Sequence, residues 1–228
     1  MTQKSAWSGG ARGFGRTSDL LAWVWHRAGV HPVGESPFHT RGSTYIGICD
    51  YAKDCLPGGV AAIAAALPAG EHRTFIQQMF VATGWYDALP LRPITEVIAK
   101  LEGLSWHDSV RQRARRIANR DLNIFRRVLF KALSPEKVVE KLRLAALQYF
   151  DFGETEVLVV EQGRSKFIYR AVPQPIGVWF VPMLQGYASV LIESAGGRDP
   201  NIAGRLIPVG RRDGVGLVDV HFEMAWSR

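Results

Sequence analysis

The spacing of apolar residues changes along the chain close to residue 151. Before this point apolar side chains recur every three or four positions, which is typical of amphipathic helices. After it they alternate with polar side chains, which is typical of half-buried strands. The alternation is clearest in Val215–Trp226, where Val218, Phe222 and Trp226 share one face. The pattern therefore predicts a helical half followed by a half rich in strands.

Helical spacing and capping signals predict several helices after residue 43. Ser105 can cap a long arginine-rich helix. Ser134-Pro135-Glu136 combines a capping hydroxyl, a proline in the first turn and an acid against the helix dipole. The other predicted helices begin at Thr44 or span Val60–Leu67, Glu71–Thr83, Pro93–Glu102 and Gly177–Ala195.

Four segments of period two follow, and they are interrupted by one of these helices. The predicted strands are Glu156–Glu161, Lys166–Val172, Ile202–Val209 and Val215–Trp226. Short polar or glycine-containing connections join the first two and the last two, which favours hairpins. The order predicts an α+β fold in which a helical half precedes a ββαββ half, with a mostly antiparallel sheet covered by helices on one face.

The same pattern suggests how the chain is divided. Residues 1–42 are predicted to be a flexible arm with one short helix, Asp19–Ala28, and a linker from His31 to Gly42. Residues 43–150 form the predicted helical half and residues 151–228 the ββαββ half. We expect residues 43–228 to fold as one domain.

Composition narrows the class of protein. The chain has 228 residues, of which 47% are apolar and 21% charged, and this is typical of a globular protein. Its longest apolar runs, Val60–Leu67 and Gly177–Leu184, are much shorter than the roughly 20 residues that span a bilayer. We therefore expect no transmembrane segment and a cytoplasmic protein. Cys49 and Cys55 match neither a redox pair nor a zinc half-site, which favours reduced thiols.

The net charge of +7 is concentrated in the arginine-rich helix and the residues after it. One interpretation is a solvated helix face with charges spread around it. The functional alternatives are an acidic protein partner, an anionic membrane surface or nucleic-acid phosphates. Because no aromatic residues alternate with these arginines for base stacking, we rank an acidic protein partner ahead of nucleic acid. The candidate contact residues are Arg111, Arg113, Arg115, Arg116 and Arg120.

An ordered set of short motifs resembles a known family. The set consists of Gly84-Trp85-Tyr86, Ser134-Pro135, Tyr149-Phe150-Asp151-Phe152-Gly153, Gln185-Gly186 and Gly196-Gly197. It resembles an uncharacterised bacterial paralogous family that is expanded in myxobacteria. That family is distantly similar to haem-nitric-oxide-binding and vinyl-reductase-type small-molecule-binding domains. The resemblance covers about residues 43–228.

The resemblance implies a small-molecule pocket between the two halves and no known reaction. The haem-binding relatives use a histidine on a helix that faces the pocket. No histidine of this chain matches their motif, and His107 at the start of the arginine-rich helix is more typical of a surface residue. We therefore expect no cofactor, although haem remains an alternative.

Two further groups of residues are candidate sites. Several aromatic side chains lie close in sequence to Gly84 and Gly186, and such a group could bind a flat apolar ligand. Aromatic residues nevertheless usually belong to the core. Three potential metal ligands lie on one face of the last strand, but such a polar face is also normal for a half-exposed antiparallel strand. The pocket candidates are Trp85, Tyr86, Trp179, Phe180, Met183 and Tyr187, and the weak metal candidates are Asp219, His221 and Glu223.

No motif supplies a catalytic nucleophile with its base, so an enzyme is the third choice. The leading hypothesis is a non-enzymatic small-molecule-sensing or adaptor domain with an apolar pocket and a basic docking helix. The alternative is a nucleic-acid-associated protein that acts through the arginine-rich helix.

Overall fold

The computed structural model describes residues 31–122 and 133–228, without the side chains of residues 143–146. Within it, Pro32–Arg228 packs as a single unit. Residues 1–30 of the predicted arm, which include the short helix Asp19–Ala28, lie outside the described residues. The same holds for Arg126, Arg127 and Lys131, which follow the arginine-rich helix.

The described chain begins with an irregular segment that is fixed by one carboxylate. Asp87 is 2% exposed. Its Oδ2 accepts hydrogen bonds from the backbone N–H of Gly34 at 2.9 Å and of Ser36 at 3.4 Å. Its Oδ1 accepts from the Ser36 hydroxyl at 2.5 Å and from the Leu89 N–H at 2.9 Å. This side chain therefore satisfies backbone donors that no strand or helix would otherwise pair.

A small two-stranded sheet includes the end of the segment that was predicted to be a linker. Strand β1 (His39–Arg41) pairs antiparallel with β2 (Trp85–Asp87), with Thr40 opposite Tyr86. Each of these strands has only three residues, which is too few for an alternation of apolar and polar side chains to be recognised. The two strands are also distant from each other in sequence. The prediction of a linker from His31 to Gly42 is therefore wrong from His39 onward, while residues 31–38 are irregular as expected.

Seven helices are found in the described residues, and the two predicted capping hydroxyls, Ser105 and Ser134, lie at the starts of two of them. Ser105 Oγ accepts a hydrogen bond from Asp108 N at 3.1 Å, as expected of an N-cap. The helices are α1 (Gly42–Cys55), α2 (Gly59–Ala66), α3 (Glu71–Gln77), α4 (Leu91–Glu102), α5 (Trp106–Asp121), α6 (Pro135–Tyr149) and α7 (Gln174–Ser194).

Helix α3 ends six residues before the predicted end at Thr83. The chain turns away at Gln78, which has an extended conformation. Phe80 then stacks on Tyr45 with 4.7 Å between ring centroids, and it meets Tyr86 at 5.0 Å. Met79 is left 88% exposed. Packing of the Phe80 ring against other elements thus overrides the helical spacing of the segment.

The main sheet has four antiparallel strands in the order β3-β4-β6-β5. The predicted α+β class and the ββαββ order are confirmed, because α7 lies between the two hairpins in the chain. The strands are β3 (Glu154–Glu161), β4 (Arg164–Pro173), β5 (Arg198–Arg212) and β6 (Val215–Ser227).

Helix α7 lies across this sheet at short distance. A Cβ on Gly177 would lie 2.5 Å from Val218 Cγ2, so the absence of a side chain allows this approach. Among the described residues, α7 is long and apolar enough to cross a membrane, yet 67% of its apolar window is buried within the protein. That degree of burial is typical of a core helix.

Strand β4 contains a bulge opposite β6. Its register shifts between Tyr169 and Val172, and Ala171 has φ of 52°, in the left-handed region. Asp219 on β6 accepts a hydrogen bond from Ala171 N at 2.9 Å and another from Arg170 Nη1 at 2.8 Å. The carboxylate therefore holds the strained backbone in place beside Tyr169.

The outer strand β5 is irregular in a different way. It contains Pro200 and Pro208, and its pairing with β6 shifts between Arg198 and Asn201 and again between Pro208 and Gly210. Proline occurs in sheets mainly on outer strands, where its missing N–H is not needed by a neighbour.

Candidate functional site

A mainly apolar cavity of about 270 Å³ lies where the helices meet one face of the sheet. Helices α1, α5 and α7 and strands β4 and β6 contribute to its walls. It is close to the lower end of the size range of small-molecule sites, which is roughly 300–1,000 Å³. The side chains of the wall include Ile48, Val110, Ala114, Ile117, Phe167, Tyr169, Trp179, Phe180, Met183, Leu184, Tyr187 and Phe222.

Helix α7 presents a broad aromatic surface to this cavity. Phe180 meets Phe150 edge-on at 4.9 Å and Tyr169 at 5.1 Å between ring centroids. Trp179 packs beside Phe180 at 5.7 Å. Pro182 lies inside the helix between the wall residues that precede and follow it, and proline lacks the N–H that a regular helix needs at that position.

Four of the six predicted pocket residues lie on this wall, namely Trp179, Phe180, Met183 and Tyr187. That they bind a ligand stays a prediction. Trp85 and Tyr86 lie elsewhere, so their assignment to the pocket is corrected. Trp85 is 43% exposed with the Arg41 guanidinium 3.7 Å above its ring. The Tyr86 hydroxyl accepts a hydrogen bond from Val81 N at 2.9 Å.

Polar groups are few around the cavity, and most have partners within the protein. The Tyr187 hydroxyl donates to Asp121 at 3.1 Å, and the Tyr169 hydroxyl donates to the Phe152 carbonyl at 3.0 Å. Burial raises the pKa of Tyr169, and Asp151 adds to this effect, so the phenol stays protonated. These contacts orient both rings while leaving their apolar faces available to the cavity.

One buried charged network borders the cavity. Arg113 lies on the cavity wall and is 4% exposed. Its Nη1 donates to the Ser109 hydroxyl at 2.8 Å. Ser109 donates in turn to Glu102, whose other oxygen accepts from the Tyr51 hydroxyl. Sequence reasoning did not identify this network. The signal it could have used is a helical spacing of four residues between Ser109 and Arg113.

The arginine-rich helix α5 is partly inside the protein, which changes its predicted role. Arg113 was expected to contact a partner, but it is buried, so this expectation is corrected. The remaining candidates are exposed or partly exposed, and each lies close to an acid. The pairs are Arg111–Asp108 at 2.9 Å, Arg115–Glu193 at 3.2 Å, Arg116–Asp54 at 3.4 Å and Arg120–Asp50 at 3.3 Å.

These pairs lead to a direct expectation for stability. Replacing Arg111, Arg115 and Arg116 together by glutamine is expected to lower the melting temperature by no more than about 3 °C, because exposed ion pairs contribute little. The measurement is a thermal melt at two salt concentrations. A second measurement is retention on heparin. If the wild-type protein is retained, if its retention falls steeply with salt, and if the variant is not retained, the arginines bind phosphates.

The polar residues on the last strand do not form a metal site in the described structure. Asp219 is occupied by Arg170 and Ala171, and Glu223 pairs with Lys166 at 2.8 Å. No group of three or more metal-binding side chains occurs among the described residues.

The described histidines do not reach the cavity. His107 is exposed near the start of α5, and none of the cavity-lining residues in the described chain is a histidine. Side chains of other types that ligate haem iron in proteins are cysteine, methionine and tyrosine. Met183 and Tyr187 on the α7 wall are of these types.

Neither protein-family models nor curated proteins match this chain. The resemblance to a myxobacterial paralogous family therefore stays a prediction. The structure, in contrast, has matches among solved proteins.

Solved structures similar to this one are H-NOX proteins. The Fe(II) unliganded H-NOX protein from K. algicida is 12% identical and has a TM-score of 0.54, with 82% of this chain and 97% of that chain covered. A point mutant of T. Tengcongensis H-NOX is 11% identical with a TM-score of 0.51, covering 82% and 98%. An oxygen-binding H-NOX domain related to soluble guanylate cyclases is 11% identical with a TM-score of 0.50, covering 82% and 95%.

This comparison contradicts the expectation that the protein has no cofactor. One of the similar structures, 10% identical with a TM-score of 0.50, was determined to study how porphyrin distortion by the protein modulates haem redox potential. Haem must therefore be taken into account for a chain with this architecture. At this level of identity the similarity concerns the fold alone, and the described part of this chain has the fold of an H-NOX domain.

Proposed function

We propose that this protein is a small-molecule-sensing domain whose cavity binds a flat, largely apolar ligand, with haem as the first candidate. The observation that carries the proposal is the aromatic cavity between α5, α7 and the sheet. Apolar walls with few polar groups are typical of sites for such ligands. The similarity to solved structures, one of which concerns haem redox potential, supports the choice of haem.

The residues of the cavity fit a porphyrin in their chemistry. Trp179, Phe167 and Phe222 provide apolar surfaces for the macrocycle. Arg113 and Arg120 lie on the wall and carry charges that suit the carboxylates of a natural porphyrin. Because the cavity is only about 270 Å³, side chains at its open side would have to move apart to admit the whole ring.

The iron of a haem would need a ligand other than a described histidine. Met183 and Tyr187 on α7 are the first candidates among the wall residues of suitable type, which also include Tyr149 and Tyr169. Tyr187 is already oriented by its hydrogen bond to Asp121. A haem bound here would supply an iron atom able to bind a diatomic gas. The surrounding residues would exclude water and fix the orientation of the ligand.

The position of α5 supports a role in sensing the ligand and not only in binding it. One face of this helix lines the cavity, while its other face carries exposed arginines that pair with acids on α1 and α7. A ligand that displaces α5 would therefore alter ion pairs at the surface. Docking of an acidic protein partner through these arginines stays a prediction, as does an adaptor role. No observation supports the nucleic-acid alternative.

Titration of the purified protein with haemin tests this proposal. We expect a Soret band that saturates at one haem per chain. Replacing Ile117 by tryptophan, which fills part of the cavity, should weaken binding about tenfold or more, since the ring collides with the bound ligand. Tyr187→Phe and Met183→Leu should identify the iron ligand through a change in the position of the band.

The matched control is Trp85→Leu, which removes an aromatic side chain outside the cavity and should leave haemin affinity unchanged. The proposal is wrong if neither haemin nor neutral apolar dyes bind in an Ile117-dependent manner. Iron-free protoporphyrin is a further comparison. If it binds as tightly as haemin, the affinity comes from contacts with the apolar walls and the iron ligand contributes little.

A further inference from the structure

The charge of Arg113 has only partial compensation inside the protein. Its Nη1 donates to the Ser109 hydroxyl, while its Nη2 is shielded from water and has no hydrogen-bond partner in the described structure. The nearest carboxylate oxygen, on Glu102, lies 4.0 Å from Nη1, beyond hydrogen-bonding distance. A buried guanidinium normally forms hydrogen bonds to charged acceptors.

Glu102 cannot readily supply the missing acceptor. Its two carboxylate oxygens accept from the Tyr51 and Ser109 hydroxyls. Both hydroxyls would lose their acceptor if Glu102 turned toward Arg113. Burial and the hydrogen bond to Glu102 raise the pKa of Tyr51, so this phenol remains a donor at neutral pH. The network is therefore complete around Glu102 and incomplete around Arg113.

Arg113 is nevertheless charged at neutral pH. Burial lowers its pKa to about 10, and Glu102 and Tyr51 oppose this shift. A cation in these surroundings interacts strongly with an anion, because little water screens the pair. The unpaired part of the guanidinium belongs to a residue of the cavity wall, where the other walls are mainly apolar.

We infer that the cavity selects an apolar molecule carrying a carboxylate, and that Arg113 binds this carboxylate. The inference rests on the proposed function and adds the chemical class of the ligand. A carboxylate accepts two parallel hydrogen bonds from a guanidinium. Because Nη2 is shielded in this structure, the Arg113 side chain would turn toward the cavity to give Nη2 this partner. Arg120, the other arginine on the wall, already pairs with Asp50 and is about half exposed, so it offers less to a ligand.

Fluorescent acid and ester pairs test the inference. The first pair is cis-parinaric acid and its methyl ester, which represents a carboxylate on an apolar chain. The second is protoporphyrin IX and its dimethyl ester, which represents carboxylates on a planar ring. For at least one pair, the wild-type protein should bind the acid about 10- to 100-fold more tightly than the ester, the range expected for a hydrogen bond to a charged group.

Variants at Arg113 show whether that preference arises at this residue. Arg113→Met should bind acid and ester equally, with ester affinity close to that of the wild type. Arg113→Lys keeps the charge and should keep part of the preference. Arg111→Met, an exposed arginine on the same helix, is the matched control and should behave as the wild type. Circular dichroism and thermal melts establish that each variant is folded.

The outcomes separate this inference from the proposed function. Equal binding of acid and ester by the wild-type protein in both pairs overturns the role of the carboxylate while supporting an apolar site. Unchanged acid preference in folded Arg113→Met overturns the role of this arginine. Failure of all four probes to bind overturns the inference, and failure of haemin and neutral apolar dyes as well overturns the proposed function. If the acid is preferred to the ester in only one pair, that pair shows whether the carboxylate is carried by an apolar chain or by a planar ring.

Discussion

Replacing Gly186 by alanine is expected to destabilise the protein by about 3 kcal/mol, because the added methyl group would collide with helix α5. A Cβ at this position would lie 2.2 Å from the Arg111 carbonyl oxygen and 2.9 Å from Ala114 Cβ. The helices α5 and α7 would therefore have to separate. Alanine is the better helix former by about 1 kcal/mol, which does not offset this collision. A thermal melt should show a decrease of about 6–12 °C.

Gly47→Ala is the matched control for this substitution. Gly47 is also buried, helical and on the cavity wall, but a Cβ there would meet only Ile117 Cδ1 at 3.9 Å. Its replacement should leave stability unchanged or raise it by up to about 1 kcal/mol. If both variants melt together with the wild type, α5 and α7 are not in close contact at Gly186.

Asp87→Asn is expected to cost about 3 kcal/mol in the free energy of unfolding, because the amide NH2 would face hydrogen-bond donors in place of an acceptor. Both carboxylate oxygens are occupied, by donors from Gly34, Ser36 and Leu89. Urea unfolding followed by circular dichroism measures the loss. The first described residues should also become more susceptible to proteolysis, since this carboxylate fixes them to β2.

The same change at an exposed carboxylate provides the comparison. Asp54 pairs with Arg116, and its side chain is 58% exposed. Asp54→Asn should therefore shift the urea midpoint little. Ser36→Ala removes one of the donors to Asp87 and should cost about 1 kcal/mol. A similar midpoint for the two aspartate variants would contradict the role given to Asp87.

Elements with local signals could be predicted from the sequence. The cap at Ser105, the proline start at Pro135 and the alternation of β6 depend on residues close in the chain, and each is found where it was expected. Segments governed by distant partners could not. Strand β1 exists because β2 pairs with it, and α3 ends early because Phe80 packs on Tyr45.

The cavity residues likewise include some that the sequence could predict and others that it could not. Trp179, Phe180, Met183 and Tyr187 recur at helical spacing on one apolar helix, so their common location could be expected. Trp85 has the same amphipathic chemistry, but its position depends on Arg41 from another strand.

Burial of Arg113 was not recognised from the sequence. Arg111 and Arg116 on the same helix have the same side chain and are exposed, so residue type alone does not distinguish them. The difference arises from Glu102 and Tyr51, which reach Arg113 from other helices.

The irregular pairing of β5 limits how this protein can associate through its sheet. A strand from another molecule that approached β5 would find no N–H at Pro200 or Pro208, and it would meet a backbone bent by register shifts near both prolines. Outer strands with these features resist edge-to-edge aggregation and fibril growth. The bulges and prolines that interrupt β5 thus protect the folded protein from self-templated strand addition at this edge.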